Sequence, residues 1–235
     1  MERTPGHQLI IMVTLKKKST GIPCLDSLIG GGLETRIIVQ FYGEPAAGKS
    51  TAAMAAAIAT LRNGEDVVYI DTEGFSIDRF CQLAGDDAES LAERLMLYEP
   101  ADFTGQDHAI AECARLLSDR GSIGLIVLDS ATALYRTEDG GGGDAQKRLG
   151  RELIMLLGYA RRYDIPVIVT NQVFTDIATD RLRGLGGTNM NHMSKIIVRF
   201  ERDDTTRHAI LEKHRSRPEG EKITFSIVEK GFREE

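Results

Sequence analysis

A chain of 235 residues is long enough to bury a substantial core and lies in the range where α/β proteins fold as one domain. Its formal net charge of −6 excludes a protein that coats nucleic acid with its whole surface, so any DNA contact is confined to local basic clusters. The three cysteines (Cys24, Cys81, Cys113) have no paired spacing and indicate neither a disulfide framework nor a zinc site, and the apolar run 9–13 is too short to cross a bilayer; the expectation is a soluble cytoplasmic protein with no membrane contact.

The first strong signal in chain order is an apolar run, 37–42, leading into Gly43-Glu44-Pro45-Ala46-Ala47-Gly48-Lys49-Ser50, a complete phosphate-binding P-loop. An alanine-rich stretch to residue 62 follows, which reads as the P-loop helix, and Asn63-Gly64 stops it. Residues 66–71 predict a buried strand, Thr72-Glu73-Gly74 a turn, and a helix begins near residue 76. A short strand is expected at 95–98 and a helix at 109–117. Residues 123–128 are nearly all apolar and end in Asp129, the pattern of a parallel strand buried on both faces.

The four glycines at 140–143 predict a mobile loop at the rim of the sheet, followed by a helix over 145–162. A strand at 165–170 delivers Asn171-Gln172 to its carboxyl end, and a second glycine-bearing loop runs to about residue 187. Strands at 194–200, 209–213 and 223–228, joined by polar turns, read as antiparallel. Strands alternating with helices and then a run of strands give an α/β fold with an antiparallel C-terminal part.

The P-loop calls for a nucleoside triphosphate. Its phosphates need a loop of backbone N–H groups at a helix N-terminus, which here means residues Gly43, Glu44, Pro45, Ala46, Ala47, Gly48, Lys49, Ser50 and Thr51. Lys49 is expected at the β/γ-phosphates, and Ser50 with Asp129 at Mg²⁺. Strands also end in aspartate for turn reasons, so Asp129 gains its meaning from the intact P-loop. Glu73 lies where it could position the attacking water, or it is a helix-start residue; Gln172 could sense the γ-phosphate, or it is a polar strand end. Basic clusters at Lys16-Lys17-Lys18, at Arg181 with Arg183, and at Lys213, Arg215 and Arg217 are candidate DNA contacts or simply solvated faces. Tyr135, with Arg136, Lys147 and Arg148 near the glycine loop, either contacts single-stranded DNA or belongs to the core. Met190 and Met193 read as packing residues.

The run Thr20-Gly21-Ile22-Pro23-Cys24-Leu25-Asp26-Ser27-Leu28-Ile29-Gly30-Gly31-Gly32, together with the P-loop, Asp71-Thr72-Glu73-Gly74 and Thr170-Asn171-Gln172-Val173, resembles the core of RecA-family recombinases, especially their archaeal RadA branch. The tail Leu211-Glu212-Lys213-His214-Arg215-Ser216-Arg217-Pro218-Glu219-Gly220 resembles, more narrowly, the RadB paralogues of that branch. The likeness covers about residues 19–233. It implies a RecA-like P-loop ATPase core, with a mostly parallel central sheet flanked by helices and a C-terminal antiparallel extension. It also implies that ATP and Mg²⁺ are bound, that Glu73 is the catalytic glutamate, that Gln172 senses the γ-phosphate and that Arg79 packs beside the adenine. Loops near 137–144 and 174–187 would face DNA.

RadA-type recombinases carry an N-terminal helical domain and a Phe-x-x-Ala tether, and residues 1–18 resemble neither. The expectation is therefore an extension over 1–18, with the first eleven residues dispensable, and a core over 19–235. Such a chain could form homo-oligomers but not long filaments, and would assist a RadA-type recombinase on single-stranded or branched DNA with weak ATPase activity. Two alternatives stand beside it: a strand-exchange recombinase in its own right, and a KaiC-like regulatory ATPase acting on protein partners. Two positions depart from the family pattern: Arg36 stands where glycine is usual, and the segment from Gly74 to Arg79 is one residue short.

Overall fold

A computed structural model describes residues 16–138, 143–176, 181–184 and 187–235. Strand β1 (Lys17–Lys18) leads into helix α1 (Pro23–Leu28), strand β2 (Leu33–Glu34), strand β3 (Ile38–Gly43), helix α2 (Lys49–Arg62) and strand β4 (Asp66–Asp71). Helices α3 (Ile77–Ala84) and α4 (Ala88–Ala92), strand β5 (Leu95–Tyr98), helix α5 (Phe103–Asp119) and strand β6 (Ile123–Asp129) follow. The chain continues through α6 (Gly143–Tyr163), β7 (Val167–Asp176), β8 (Arg181–Gly184) and α7 (Gly187–Met193). It ends in β9 (Ser194–Asp203), β10 (Thr206–Lys213), β11 (Lys222–Val228) and β12 (Gly231–Glu234).

Nine strands run in the order β12-β11-β10-β9-β3-β7-β6-β4-β5, and β8 is added onto the end of β7. Strands β9, β3, β7, β6, β4 and β5 pair in parallel, whereas β9 to β12 are linked antiparallel. This is the RecA-like sheet, with β3 at its centre and therefore buried on both faces. Ile38, Val39 and Phe41 are fully covered, and burial of each contributes on the order of 1.5–3 kcal/mol.

Two apolar cores lie on the two faces. On one, Ala52, Ala53, Ala56 and Ala57 of α2 are almost completely buried with Val39, Phe41, Tyr69 and Val127. Their small side chains let the helix axis come close to the sheet, which carries the P-loop against the strand ends. On the other, α5 and α6 cover Ile38, Val68, Ile126 and Val167 through Ile110, Leu149, Leu153 and Leu156.

The strands read from apolar runs fall where expected, and 66–71 and 95–98 match to the residue. Several elements differ. Lys17 and Lys18, expected in an extension, pair with Glu34 and Leu33, and Lys18 Nζ reaches Glu65 Oε1 at 2.6 Å. The expected second loop is in part a hairpin: β7 runs on to Asp176 and pairs with β8 from Val173↔Gly184 to Asp176↔Arg181. Val173, Phe174 and Thr175 are residue types enriched in strands, and Arg181-Leu182-Arg183 alternates polar with apolar. Helices α1 and α7 and strand β12 are too short for periodicity to reveal. Residues 1–15 and the glycines at 140–142 lie outside the described residues.

Candidate nucleotide site

The P-loop is pressed between strand ends. A Cβ on Gly43 (φ +145°) would fall 1.9 Å from the Phe200 carbonyl oxygen, so only glycine lets β3 leave the sheet beside β9 at this point. Ala46 (φ +58°) and Gly48 (φ +110°) turn the loop back into α2. The first turn of α2 holds no acidic residue, and no side chain caps it. Its leading N–H groups therefore keep their capacity to receive an anion. Lys49 Nζ donates to the carbonyls of Gly43 (3.0 Å) and Glu44 (2.7 Å), which folds it over the loop. Burial lowers its pKa, while Glu73, Asp129 and Glu44 oppose that shift.

A cavity of about 370 Å³ opens here, lined by Pro45, Ala46, Gly48, Lys49, Ser50, Thr51, Glu73, Asp129, Gln172, Arg207 and Ile227. Gly43, Glu44 and Ala47 shape the loop behind it; the Glu44 carboxylate accepts from the Arg202 N–H at 3.0 Å.

Asp129 ends β6, and its Oδ1 accepts from Ser50 Oγ at 3.3 Å. Tyr69 donates to Oδ2 at 2.8 Å, and the Thr170 hydroxyl donates to Oδ1. Burial raises the Asp129 pKa, and the hydrogen bonds from Thr170, Tyr69 and Ser50 oppose that rise. Neighbouring Asp71, bent over the N–H groups of Glu73 and Gly74, is pushed up to about 6 by burial and by Asp129. A hydroxyl and a carboxylate oxygen this close, beside an uncapped helix start, form the hard-oxygen donor set that suits Mg²⁺.

Glu73 and Gln172, read separately from the sequence, meet here. Gln172 Nε2 donates to Glu73 Oε1 at 2.9 Å, and Ser130 Oγ donates to the same oxygen at 2.7 Å. Arg136 Nη1 donates to Gln172 Oε1 at 2.9 Å, which adds a residue expected only at DNA.

Arg79 is elsewhere. Its guanidinium donates to the carbonyls of Val228 and Glu229 at 3.0 Å, and it does not line the cavity. The segment before it, one residue short of the family pattern, brings it to the end of β11. Arg207 and Ile227 were not anticipated. They lie on β10 and β11, more than 150 residues from the P-loop, and no local motif marks them.

The candidate DNA residues fall at opposite ends of the sheet. Arg136 follows β6 at the carboxyl end, beside the nucleotide cavity; Arg181 and Arg183 lie on β8 at the same end, with side chains outside the described residues. Lys213, Arg215 and Arg217 lie toward the amino end. There Lys213 Nζ donates to the carbonyls of Asn191 (2.6 Å) and Ser194 (2.9 Å), so it closes the C-terminus of α7. Arg217 pairs with Glu221 at 3.0 Å and packs over Gly30 beside Lys17, while Arg215 is exposed. Tyr135 is a core residue, edge-on to Phe103 at 6.2 Å, and Met190 is fully buried. Arg148 is held by Asp107 and Glu138 over the Phe103 ring.

Residues 11–235 match the Rad51 family model. The DNA repair and recombination protein RadB of Methanoculleus marisnigri is 55% identical over 92% of this chain and 96% of its own length. RadB of Methanococcoides burtonii is 40% identical over 89% of this chain and 94% of its own. A crystal structure described as that of the RadB recombinase superposes with a TM-score of 0.78 at 37% identity, covering 91% of this chain and 97% of the other. With a P-loop at the end of a RecA-like sheet and these relatives over nearly its full length, the chain belongs to the Rad51 family, in its archaeal RadB branch.

Proposed function

We propose that the chain binds ATP with Mg²⁺, hydrolyses it slowly, binds DNA, and serves homologous recombination and repair as an accessory to a RadA-type recombinase. The observation that carries this reading is the convergence of Lys49, Ser50, Asp129, Glu73 and Gln172 on one cavity at the start of α2. The repair role rests on the relatives, which are DNA repair and recombination proteins.

The amides of the P-loop and the Lys49 ammonium hold the phosphates, and Ser50 and Asp129 hold the metal. Bound there, Mg²⁺ would neutralise charge on the β- and γ-phosphates. Glu73, steadied by Ser130 and Gln172, holds the attacking water and receives its proton. Gln172 contacts the γ-phosphate region and also leads through β7 into the β8 hairpin, so that nucleotide state and hairpin position are linked. Arg136 offers the DNA backbone a basic contact at this same end, toward which β8 also runs. Placement is cytoplasmic, and among the described residues no helix is long and apolar enough to cross a membrane. Homo-oligomers are compatible with this reading, long filaments are not part of it, and the first eleven residues are dispensable.

Binding of a fluorescent ATP analogue with Mg²⁺ tests the nucleotide reading: Lys49→Ala is expected to abolish it, and unchanged affinity would overturn the site. ATP turnover with and without single-stranded DNA, in the presence and absence of a RadA-type recombinase, tests the accessory role. Stimulation of the partner's strand exchange supports it; strand exchange by this chain alone overturns it in favour of a recombinase. Failure to bind single-stranded DNA at low salt favours a regulatory ATPase instead.

A further inference from the structure

We propose that Arg207 supplies a second cation to the phosphate chain, from β10 and within the same molecule. The inference rests on the nucleotide reading of the cavity and extends it to a residue outside the P-loop, the Asp129 strand and Gln172.

Arg207 lines the cavity alongside Lys49, Ser50 and Glu73. Its Nε donates to the Ala46 carbonyl at 3.1 Å, which anchors the guanidinium to the loop residue with left-handed backbone. Among the described residues, neither Nη atom has a hydrogen-bond partner and no carboxylate lies within 4.0 Å. Nearby arginines are spent differently: Arg199 is paired with Glu201 and Glu212, and Arg79 with backbone carbonyls. Arg207 is thus held at one nitrogen, with the outer edge of its fork still available beside the cavity.

The charge balance of the cavity gives that fork a task. Among its lining residues, two carboxylates (Glu73 and Asp129) face one ammonium, that of Lys49. A metal–triphosphate would bring several further negative charges to this balance. A planar guanidinium can meet two phosphate oxygens at once, which an ammonium cannot. Because each phosphate adds charge that Arg207 can meet, its contribution grows from ADP to ATP.

The alternative is a brace: Arg207 could act only through the Ala46 carbonyl. Arg207→Gln separates the two roles, since its amide N–H can still donate to that carbonyl while the charge is gone. Ribose-labelled fluorescent ATP and ADP, each with Mg²⁺, are titrated into the full chain. Arg207→Gln is expected to weaken ATP roughly tenfold or more and ADP less, with an unchanged thermal midpoint. Arg207→Lys is expected to recover part of the loss. Equal affinities for Arg207→Gln and the parent chain overturn the proposal, as does a loss of affinity accompanied by a lowered midpoint that lysine does not restore. Weakened binding to single-stranded oligonucleotide with ATP affinity intact also overturns it. Lys49→Ala in the same titration separates the layers. If Lys49→Ala abolishes binding and Arg207→Gln changes nothing, only the Arg207 assignment falls; if Lys49→Ala leaves binding intact, the nucleotide reading falls with it.

Discussion

Arg136 donates from Nη1 to Gln172 Oε1 over 2.9 Å, and this contact decides which end of the Gln172 amide faces Glu73. With the oxygen engaged, the NH₂ group must point to the Glu73 carboxylate, where it is found at 2.9 Å. Arg136→Ala releases the amide to rotate. Turnover should then fall roughly fivefold, the effect of losing about 1 kcal/mol of a partly solvated hydrogen bond, while ATP affinity stays within about twofold. Single-turnover hydrolysis beside equilibrium nucleotide binding checks this, and an unchanged rate would count against the arrangement.

Magnesium dependence should run through Asp129. Chelation with EDTA is expected to weaken ATP binding in the parent chain by about tenfold or more, because the metal that Ser50 and Asp129 would hold offsets phosphate charge. Asp129→Asn should bind ATP with the same lowered affinity whether or not Mg²⁺ is present. Its thermal midpoint should fall by no more than a few degrees, because removing a buried charge offsets the loss of a hydrogen bond that the new amide nitrogen cannot accept. A variant that still responds to the metal would exclude Asp129 as its holder.

Far from the P-loop, α6 buries Glu152, which accepts from Gln106 Nε2 at 2.8 Å. Burial first, and Asp107 second, push its pKa up to about 9 from an ordinary 4.5. The folded state therefore keeps a proton that the unfolded chain releases, and stability falls as pH rises between these two values. Above about 9 the loss levels off. Thermal midpoints measured from pH 6 to 9 should decline less for Glu152→Gln, which keeps a neutral side chain of the same shape. Parallel declines for both proteins would refute the assignment.

Gly43→Ala tests the fold beneath the site. The added methyl would collide with the Phe200 carbonyl, and the backbone lies in the left-handed region. A loss of about 3 kcal/mol or more in urea denaturation, or failure to fold, is expected. A loss below about 1 kcal/mol would mean that the strand ends yield.

What was legible in the sequence follows from local chemistry. The P-loop and strands β3, β4 and β6 announce themselves because strands covered on both faces need unbroken apolar runs. Asp129, Glu73 and Gln172 stand out as candidates because each ends or follows such a strand on the same side of the sheet. Arg207 and Ile227 were missed because their place in the cavity comes from strand order, with β10 two strands from β3. Arg36, noted as a departure from the family's usual glycine, has φ +70° and donates its N–H to the Ile165 carbonyl at 2.9 Å. The position therefore demands the left-handed turn that glycine adopts freely. The stacking role considered for Tyr135 failed because a tyrosine at a strand end looks the same in sequence whether its ring faces solvent or core.

The bonds from Lys213 to the carbonyls of Asn191 and Ser194 bear on how the C-terminal basic tail can be interrogated. Reversing charge at this lysine would loosen the helix that follows the β8 hairpin, so a drop in oligonucleotide affinity would register a folding lesion transmitted from the other end of the sheet. Arg215, whose side chain is exposed, is the clean probe of that surface.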